Sequence, residues 1–577
     1  MLQNYYTSKK RLLSLLVAAI FLFSVIFLRL AYIQVVWGSA LKSRAAEQWQ
    51  RDLPIKAYRG DIVDREGRAI ATTHTGYSLY ARPQSVSDAD GASKTLSQIL
   101  DKDSGALYSK LTAKGISEVT LARALSDKQV KAVRNADLCG VYLAANGVRD
   151  YVYGEFLSQV LGFVSSDGSG QTGLEAYYNK YLAGIDGELL TDTDLVGKEL
   201  ENGSMNYVAA IDGLTLTLTI DATIQLAVEN VLELALHNNG PVSARAVVMD
   251  VNTGEVLAMA AKPSVDLNNL PRDNVELLMQ RSKNTLLTDV YEPGSTFKVI
   301  TAAACLEEYK NGNPRAFSET HVFNSSGVRI INGSKISCWT KHANGKHSNQ
   351  NLSDALNNSC NPIFTDIALS LGKDVMYKYL GNFGFGKTTD IDFAGEQSGI
   401  LVSQNAVTDG DLARIGFGHT IAVTPIQLCA AISAAVNGGY LMRPYLVKEI
   451  SDPVTNQTVR KTTPTVVSRP ISEATSKKMA GYLRRVVDEG GGKNAKIDGY
   501  QVGGKTGTAQ KFEGGKLAVG KYVSSFIGFF PASSPKYLAL VIIDEPQGQS
   551  YGSIVAAPYA RMIFEQIIAY KEIAPID

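Results

Sequence analysis

A seventeen-residue apolar run, Leu12 to Leu28, broken only by Ser14 and Ser24, opens the chain behind Lys9, Lys10 and Arg11. A helix that crosses a bilayer takes ~20 such residues, range ~17–25. The continuation LAYIQVVW extends the apolar surface, and Arg29 inside it can snorkel or face a partner. A cleaved secretory signal has a shorter apolar core, about 7–15 residues, and ends at a small-residue site. No clear A-x-A cleavage site follows the run, so the pattern predicts an uncleaved signal anchor over 12–35. The basic cluster puts residues 1–11 in the cytoplasm and the rest of the chain outside the membrane.

From Arg51 to about Gly213 the pattern is mixed. YRGDIVDREGRAIA (Tyr58 to Ala71) alternates around Glu66-Gly67 and predicts a strand, a turn and a second strand. Residues 85–137 have a polar, helical look, as in SKTLSQILDKD and SDKQVKAVRNA. GQTGLEAYYNKYLAGIDGE spaces Leu174, Tyr177, Tyr178, Tyr181 and Leu182 as one amphipathic helix, and a tyrosine stripe of that kind is read as core rather than as a binding box. A different regime begins near Asp212. LTLTLTID predicts a strand, ATIQLAVENVLELALH a helix, and ARAVVMDVNTGEVLAMAAKPS two strands about an Asn-Thr-Gly turn. YVSSFIGFFPAS and KYLALVIIDEP predict two more strands, and APYARMIFEQIIAYKE a closing helix. Strands at both ends of a helical middle predict an antiparallel sheet covered by helices, its first and last segments adjacent.

Composition narrows the function classes. The 577 residues exceed one ordinary domain. Lys+Arg 57 against Asp+Glu 56 leaves no global field for nucleic acid, and no basic run carries interleaved aromatics. Five cysteines (Cys139, Cys305, Cys338, Cys360, Cys429) are too few and odd in number for a disulfide-stapled scaffold.

Three short motifs carry the candidate chemistry. In DVYEPGSTFKVITAAACLEE, Pro293-Gly294 breaks the chain and a helix starts near Ser295. Lys298 lies three residues on, on the same helical face, where its amine can take the serine proton once desolvation lowers its pKa. The helix N-terminus favours developing negative charge. S-x-x-K alone is common enough to be a cap followed by a solvated lysine. Downstream, however, come Ser359-Cys360-Asn361, just before a proline, and Lys505-Thr506-Gly507-Thr508 in a Gly-flanked strand. S-x-x-K, S-x-N and K-T-G in this order are the signature set of serine penicillin-binding proteins and related β-lactamases.

With RGDIVDREGRAIA, RDYVYGEFLSQVLGFV and GQTGLE upstream, the chain resembles the class B (monofunctional) penicillin-binding proteins of the division/sporulation group over nearly its full length. The resemblance implies an α+β architecture. An N-terminal transmembrane helix leads into a mixed α/β pedestal of the dimerisation type (51–212). A serine β-lactamase/transpeptidase-like domain follows (213–577). It implies a peptidoglycan D,D-transpeptidase, acylated by β-lactams, in septal or sporulation wall synthesis. Ser295 would attack the penultimate D-Ala carbonyl and Lys298 would activate it. Ser359 would relay protons, and Asn361 would bind substrate amides and Lys298. Lys505, Thr506 and Thr508 would recognise the substrate carboxylate within the Gly507 strand, and the backbone N–H groups of Ser295 and Thr508 would form the oxyanion hole. No cofactor is required, and a SEDS-type glycosyltransferase and other wall-synthesis proteins are the implied partners. Two departures stand out: RDYVY lacks the family's common proline, and IGFGHTIAVTPIQ carries His419 at an unusual place.

Cys338, His342, His347 and Cys360 form a separate pattern. It reads either as incidental thiols with loop histidines or as a structural zinc site of Cys338, His347 and Cys360, with His342 or Asp289 fourth. Three further readings compete with the transpeptidase. A β-lactamase or carboxypeptidase needs an assigned water-activating group, and none can be assigned. A membrane β-lactam sensor or a non-catalytic scaffold stays open, although sensors usually span the membrane several times and one span is visible here. A bifunctional class A protein would show a glycosyltransferase signature in 51–212, and none is recognised.

Overall fold

A computed structural model describes residues 2–42, 50–123, 125–192, 205–325, 327–338, 347–513 and 516–575. The chain divides into two compact units, 1–57 with 184–212, and 58–183 with 213–577. In the first unit, the helix Leu2–Val36 exposes its apolar side chains, and Lys9–Val36 is long and apolar enough to cross a membrane. The same unit holds a three-stranded antiparallel sheet, with Gly187–Asp192 between Gln50–Ile55 and Met205–Val208.

The second unit contains two large sheets. The five-stranded one is antiparallel throughout, in the order Val256–Lys262, Ser243–Asp250, Tyr537–Asp544, Lys516–Phe530, Gly503–Glu513. Tyr537–Asp544, the last strand, lies beside Ser243–Asp250, the second strand of the region, and not beside the first. Both faces of this sheet are apolar, because each must be covered. Ala246, Val248, Phe526, Val541 and Ile543 pack with the helices Ala222–Asn239 and Ala557–Tyr570. The alternate residues Val247, Met249, Ile527, Leu540 and Ile542 join the core built from Lys298–Lys310, Asn361–Leu371 and Pro425–Val436. This period-two division leaves the edge strand Gly503–Glu513 beside the N-terminus of the buried helix Lys298–Lys310.

The strand Thr215–Leu218, expected to open that sheet, lies in the other one. There it pairs in parallel with Ile62–Val63 and antiparallel with Val447–Ser451. Alternation predicted the strand, but a four-residue strand does not encode its partner. Ala69–Ala81 follows the predicted turn and pairs with Val119–Ala122 and Val141–Tyr151. The stretch 85–137 therefore holds three helices, Ala89–Leu100, Ser104–Leu111 and Asp127–Ala136, and one strand within it. The single helix expected around Leu174 is two short ones, Gly173–Tyr177 and Asn179–Leu182. Leu174, Tyr178 and Leu182 are buried at i, i+4, i+8, whereas Tyr177 is exposed. The Tyr178 hydroxyl leaves the core to donate to Asp392 Oδ2 at 2.7 Å.

The upstream sequence motifs meet at one carboxylate. Glu175, fully buried, accepts from Arg59 Nε at 2.5 Å and from Arg149 Nε at 2.7 Å. Arg149 Nη1 also donates to Gly60 O and Thr73 Oγ1. Both guanidiniums are nearly excluded from water, so removing the carboxylate strands two buried cations. Glu175→Ala is expected to cost ~3–5 kcal/mol of stability, read as a fall in the denaturant midpoint at unchanged slope.

Candidate active site

Residues Gly294–Phe297 form a 3₁₀ turn that runs directly into the helix Lys298–Lys310. Ser295 therefore sits one turn earlier than a regular helical start would place it, half-buried, at the positive end of a buried helix. Thr296 locks the turn by donating from Oγ1 to Pro293 O at 2.7 Å, and Phe297 anchors it against Phe385.

Lys298 has no solvent exposure. Its Nζ donates to Ser295 Oγ at 3.0 Å, Ser359 Oγ at 3.0 Å, Ser359 O at 2.7 Å and Asn361 Oδ1 at 2.6 Å. Burial lowers its pKa to about 7, with the Cys360 and Cys338 sulfurs opposing the shift. Lys505, on the strand Gly503–Glu513, reaches the same hydroxyl: its Nζ donates to Ser359 Oγ at 3.0 Å and Thr506 O at 3.3 Å. Burial and then the neighbouring Lys298 push its pKa well below 10.5. Two cations are thus directed at one oxygen, an arrangement that disfavours charging both at once.

Ser359 holds that position in a left-handed backbone conformation, φ 54°. Such a residue costs about 1–3 kcal/mol and persists only where its surroundings fix it. Here Ser359 N donates to Leu356 O at 3.2 Å and Ser359 O accepts from Lys298 Nζ at 2.7 Å, just before the helix Asn361–Leu371. Pro362 sits in that helix's first turn. Asn361 Nδ2 donates to Ser337 O at 3.1 Å, a contact with the hairpin Val328–Ile331/Ser334–Ser337 that the motif did not reveal.

Thr506 and Thr508 are half-buried, with Lys505, Gly507 and Ala509 alternating as buried positions. Gly507 admits no side chain: a Cβ there would lie 2.4 Å from Ser525 Oγ and 3.1 Å from Pro293 O. The glycine thus lets this strand approach the Ser295 turn. Thr508 Oγ1 accepts from Gly552 N at 3.1 Å, which leaves its own proton to donate. Sequence reasoning missed Glu292 and Gly552. The signal for Glu292 was present in the E-P-G-S run.

The candidate zinc ligands are only partly brought together. The Cys338 thiol contacts that of Cys360, and this contact with burial raises the Cys360 pKa. Asp289 instead pairs with Lys283 at 2.5 Å. His342 and the His347 side chain lie outside the described residues, among which no cluster of three or more His, Cys, Asp or Glu stands ready to hold a metal.

Residues 244–568 match the penicillin binding protein transpeptidase domain, and 54–218 match the penicillin-binding protein dimerisation domain. The chain is 39% identical over 572 residues to Stage V sporulation protein D of Bacillus subtilis, covering 99% of this chain and 87% of that protein. It is 30% identical over 555 residues to peptidoglycan D,D-transpeptidase FtsI of Escherichia coli, covering 95% and 89%. The fold is shared with penicillin binding protein 2X of Streptococcus thermophilus, with TM-score 0.72 at 24% identity over 90% of this chain and 80% of that one. A peptidoglycan synthetase of Bifidobacterium adolescentis aligns at TM-score 0.72 and 23% identity, over 92% and 98%. With both domain matches in order and a buried lysine bridging the serines of the first two motifs, the chain belongs to the class B penicillin-binding proteins.

Proposed function

We propose that Ser295 is the nucleophile of a serine-type peptidoglycan D,D-transpeptidase serving septal or sporulation wall synthesis. The observation that carries this reading is Lys298 Nζ, fully buried, 3.0 Å from both Ser295 Oγ and Ser359 Oγ. With its pKa near 7, a large share of this amine is uncharged at neutral pH and can take the Ser295 proton. Ser295 Oγ then attacks the penultimate D-Ala carbonyl of a stem peptide. The backbone N–H groups of Ser295 and Thr508 receive the oxyanion, a type of contact worth ~10²–10³ in rate. Collapse breaks the peptide bond, and Ser359, hydrogen-bonded to both lysines, passes the proton to the departing terminal D-Ala amine. A second stem peptide's amine attacks the ester, loses its proton by the same route and restores Ser295. Lys505 with Thr506, Gly507 and Thr508 binds the substrate carboxylate, and Asn361 steadies Lys298 and a substrate amide. A β-lactam acylates Ser295 in the same way as its ring amide opens.

The proposed organisation is a cytoplasmic tail (1–11), a membrane anchor (12–35), a pedestal (51–212) and a transpeptidase domain (213–577). The catalytic domain lies outside the cytoplasmic membrane. The matched ranges 54–218 and 244–568 support it, as does the basic cluster before the apolar helix. The class B group lacks its own polymerase, so a SEDS-type glycosyltransferase is the proposed partner. The chemistry calls for no cofactor. A structural zinc on Cys338, His347 and Cys360 rests on the contact of the two thiols, and zinc analysis of the purified protein tests it.

Labelled penicillin incubated with the full chain in detergent is the test of the function. A long-lived adduct on the Ser295 peptide, with D-Ala release from stem-peptide donors, is expected. Rapid release of penicilloate would replace this reading with a hydrolase.

A further inference from the structure

The turn that carries Ser295 is gripped from the side opposite the K-T-G strand by residues 418–423. Tyr291 and Val423 exchange backbone hydrogen bonds at 3.0 Å, and Gly294 N donates to Gly418 O at 3.0 Å. The approach is so close that a Cβ on Gly418, φ 86°, would lie 2.0 Å from Gly294 O. Between these backbone contacts, Glu292 Oε1 accepts from Thr420 N at 2.9 Å. Its Oε2, out of contact with solvent and without a hydrogen bond, stands 2.9 Å from His419 Nδ1. Thr420 has φ 60°, a left-handed conformation that a β-branched residue adopts only when held there. On the other side, a Cβ on Gly294 would lie 3.3 Å from Thr508 O. The turn is therefore wedged between residues 418–423 and the strand that supplies Thr508.

We propose that Glu292 is a positioning residue for acyl transfer, its carboxylate holding Thr420 N–H and lying against His419 so that the Ser295 turn keeps its distance from Thr508. This rests on the reading of Ser295 as nucleophile and deepens it. Glu292 stands outside the hydrogen bonds that join Lys298 to Ser295, Ser359 and Asn361 and Lys505 to Ser359, so it acts through the turn. The oxyanion contacts form only if the N–H groups of Ser295 and Thr508 converge on one point. A displacement of about 1 Å at such a point can cost ~10²-fold in rate. A carboxylate suits the task because one oxygen accepts from Thr420 N–H while the second faces the His419 ring 2.9 Å from Nδ1. The unusual His419 is itself fixed by its backbone N–H on Arg414 O at 3.0 Å and its ring against Phe417.

Rapid-mixing acylation by a fluorescent penicillin, which separates the acylation rate constant from the preceding binding constant, tests the proposal on the full chain in detergent. Glu292→Ala is expected to lower the rate constant roughly 10²-fold while the binding constant changes by less than about threefold. Glu292→Gln, which keeps an acceptor for Thr420 N–H, is expected to recover most of that loss. His419→Ala, at a half-exposed position, is expected to lose only several-fold and serves if Glu292→Ala does not fold. An unchanged rate constant in folded Glu292→Ala, or a loss confined to the binding constant, overturns the proposal. Equal rates in Glu292→Gln and Glu292→Ala would overturn it too. The two readings fail differently: a wild-type chain that never forms the adduct rejects Ser295 as nucleophile, whereas a normal wild-type rate retained by the variants rejects only the role of Glu292.

Discussion

Ser295→Ala is expected to abolish covalent penicillin labelling and transpeptidation, with rates falling ~10⁴–10⁶-fold, while thermal unfolding stays within a few degrees of wild type. The size of the loss follows from chemistry that has no substitute. With the hydroxyl gone, Lys298 and Ser359 have no oxygen to activate at the reacting carbonyl. The small effect on stability follows from the contacts. Ser295 is half-buried and its recorded side-chain bond is the one from Lys298, whose remaining acceptors are Ser359 and Asn361. The 3₁₀ turn keeps Thr296 and Phe297 as its anchors. Gel fluorescence of the labelled chain, with circular dichroism melting alongside, checks both halves. Labelling that persists in a folded Ser295→Ala protein would place the nucleophile elsewhere.

The second large effect is expected at Lys298. Its pKa of about 7, set by burial, lies below the ordinary 10.5, so the amine is the minor form below pH 7 and the major form above it. The wild-type acylation rate constant should therefore climb between about pH 5 and pH 9 with a midpoint near 7. The sign is fixed by the direction of proton transfer: only the uncharged amine accepts the Ser295 proton. Lys298→Arg keeps a cation in place but stays protonated over this whole range. It should lose ~10²–10⁴-fold in acylation and the midpoint with it. Linkage gives an independent check. The unfolded chain binds this proton up to about pH 10.5 and the folded chain releases it near 7. The lysine therefore makes stability rise with pH across that interval. Lys298→Met should flatten that slope. A wild-type acylation rate flat from pH 5 to 9 would remove Lys298 as the base.

Much of the site was legible because each motif is short and its local geometry is set by neighbours in the chain. Pro293-Gly294 announced the turn before Ser295, and glycines around Lys505 announced a strand that another segment approaches closely. The pairing of Glu292 with His419 and Thr420 was not legible, because it joins two loops more than a hundred residues apart in sequence. The left-handed Ser359 was equally hidden: its backbone is bonded to Leu356 and to Lys298, and Lys298 lies sixty-one residues away in sequence. In the fold, alternation revealed strands wherever one face differs from the other. It did not reveal that Thr215–Leu218 would leave the five-stranded sheet for a sheet shared with Ile62–Val63, since a strand four residues long carries almost no register information. The two short helices near Tyr178 show a similar limit. Period 3.6 was correct locally, but it does not report the break at Tyr178 that divides the stretch into two helices.

The strand Gly503–Glu513 is paired on one side with Lys516–Phe530 and ends its sheet on the other. An open edge accepts an extended peptide through main-chain hydrogen bonds whatever its side chains, and so admits any stray strand as readily as a substrate. Colloidal behaviour is therefore tied to function here. The edge cannot be capped by a bulge or a proline at Lys505–Thr508 without closing the site, and protection has to come from its far end, where the register shifts between Gln510 and Phe512 and charges gather. Lys511 stands there, bonded to Asp544 and Glu545, with Lys521 also paired to Glu545. Neutralising those charges should lower solubility before it touches catalysis.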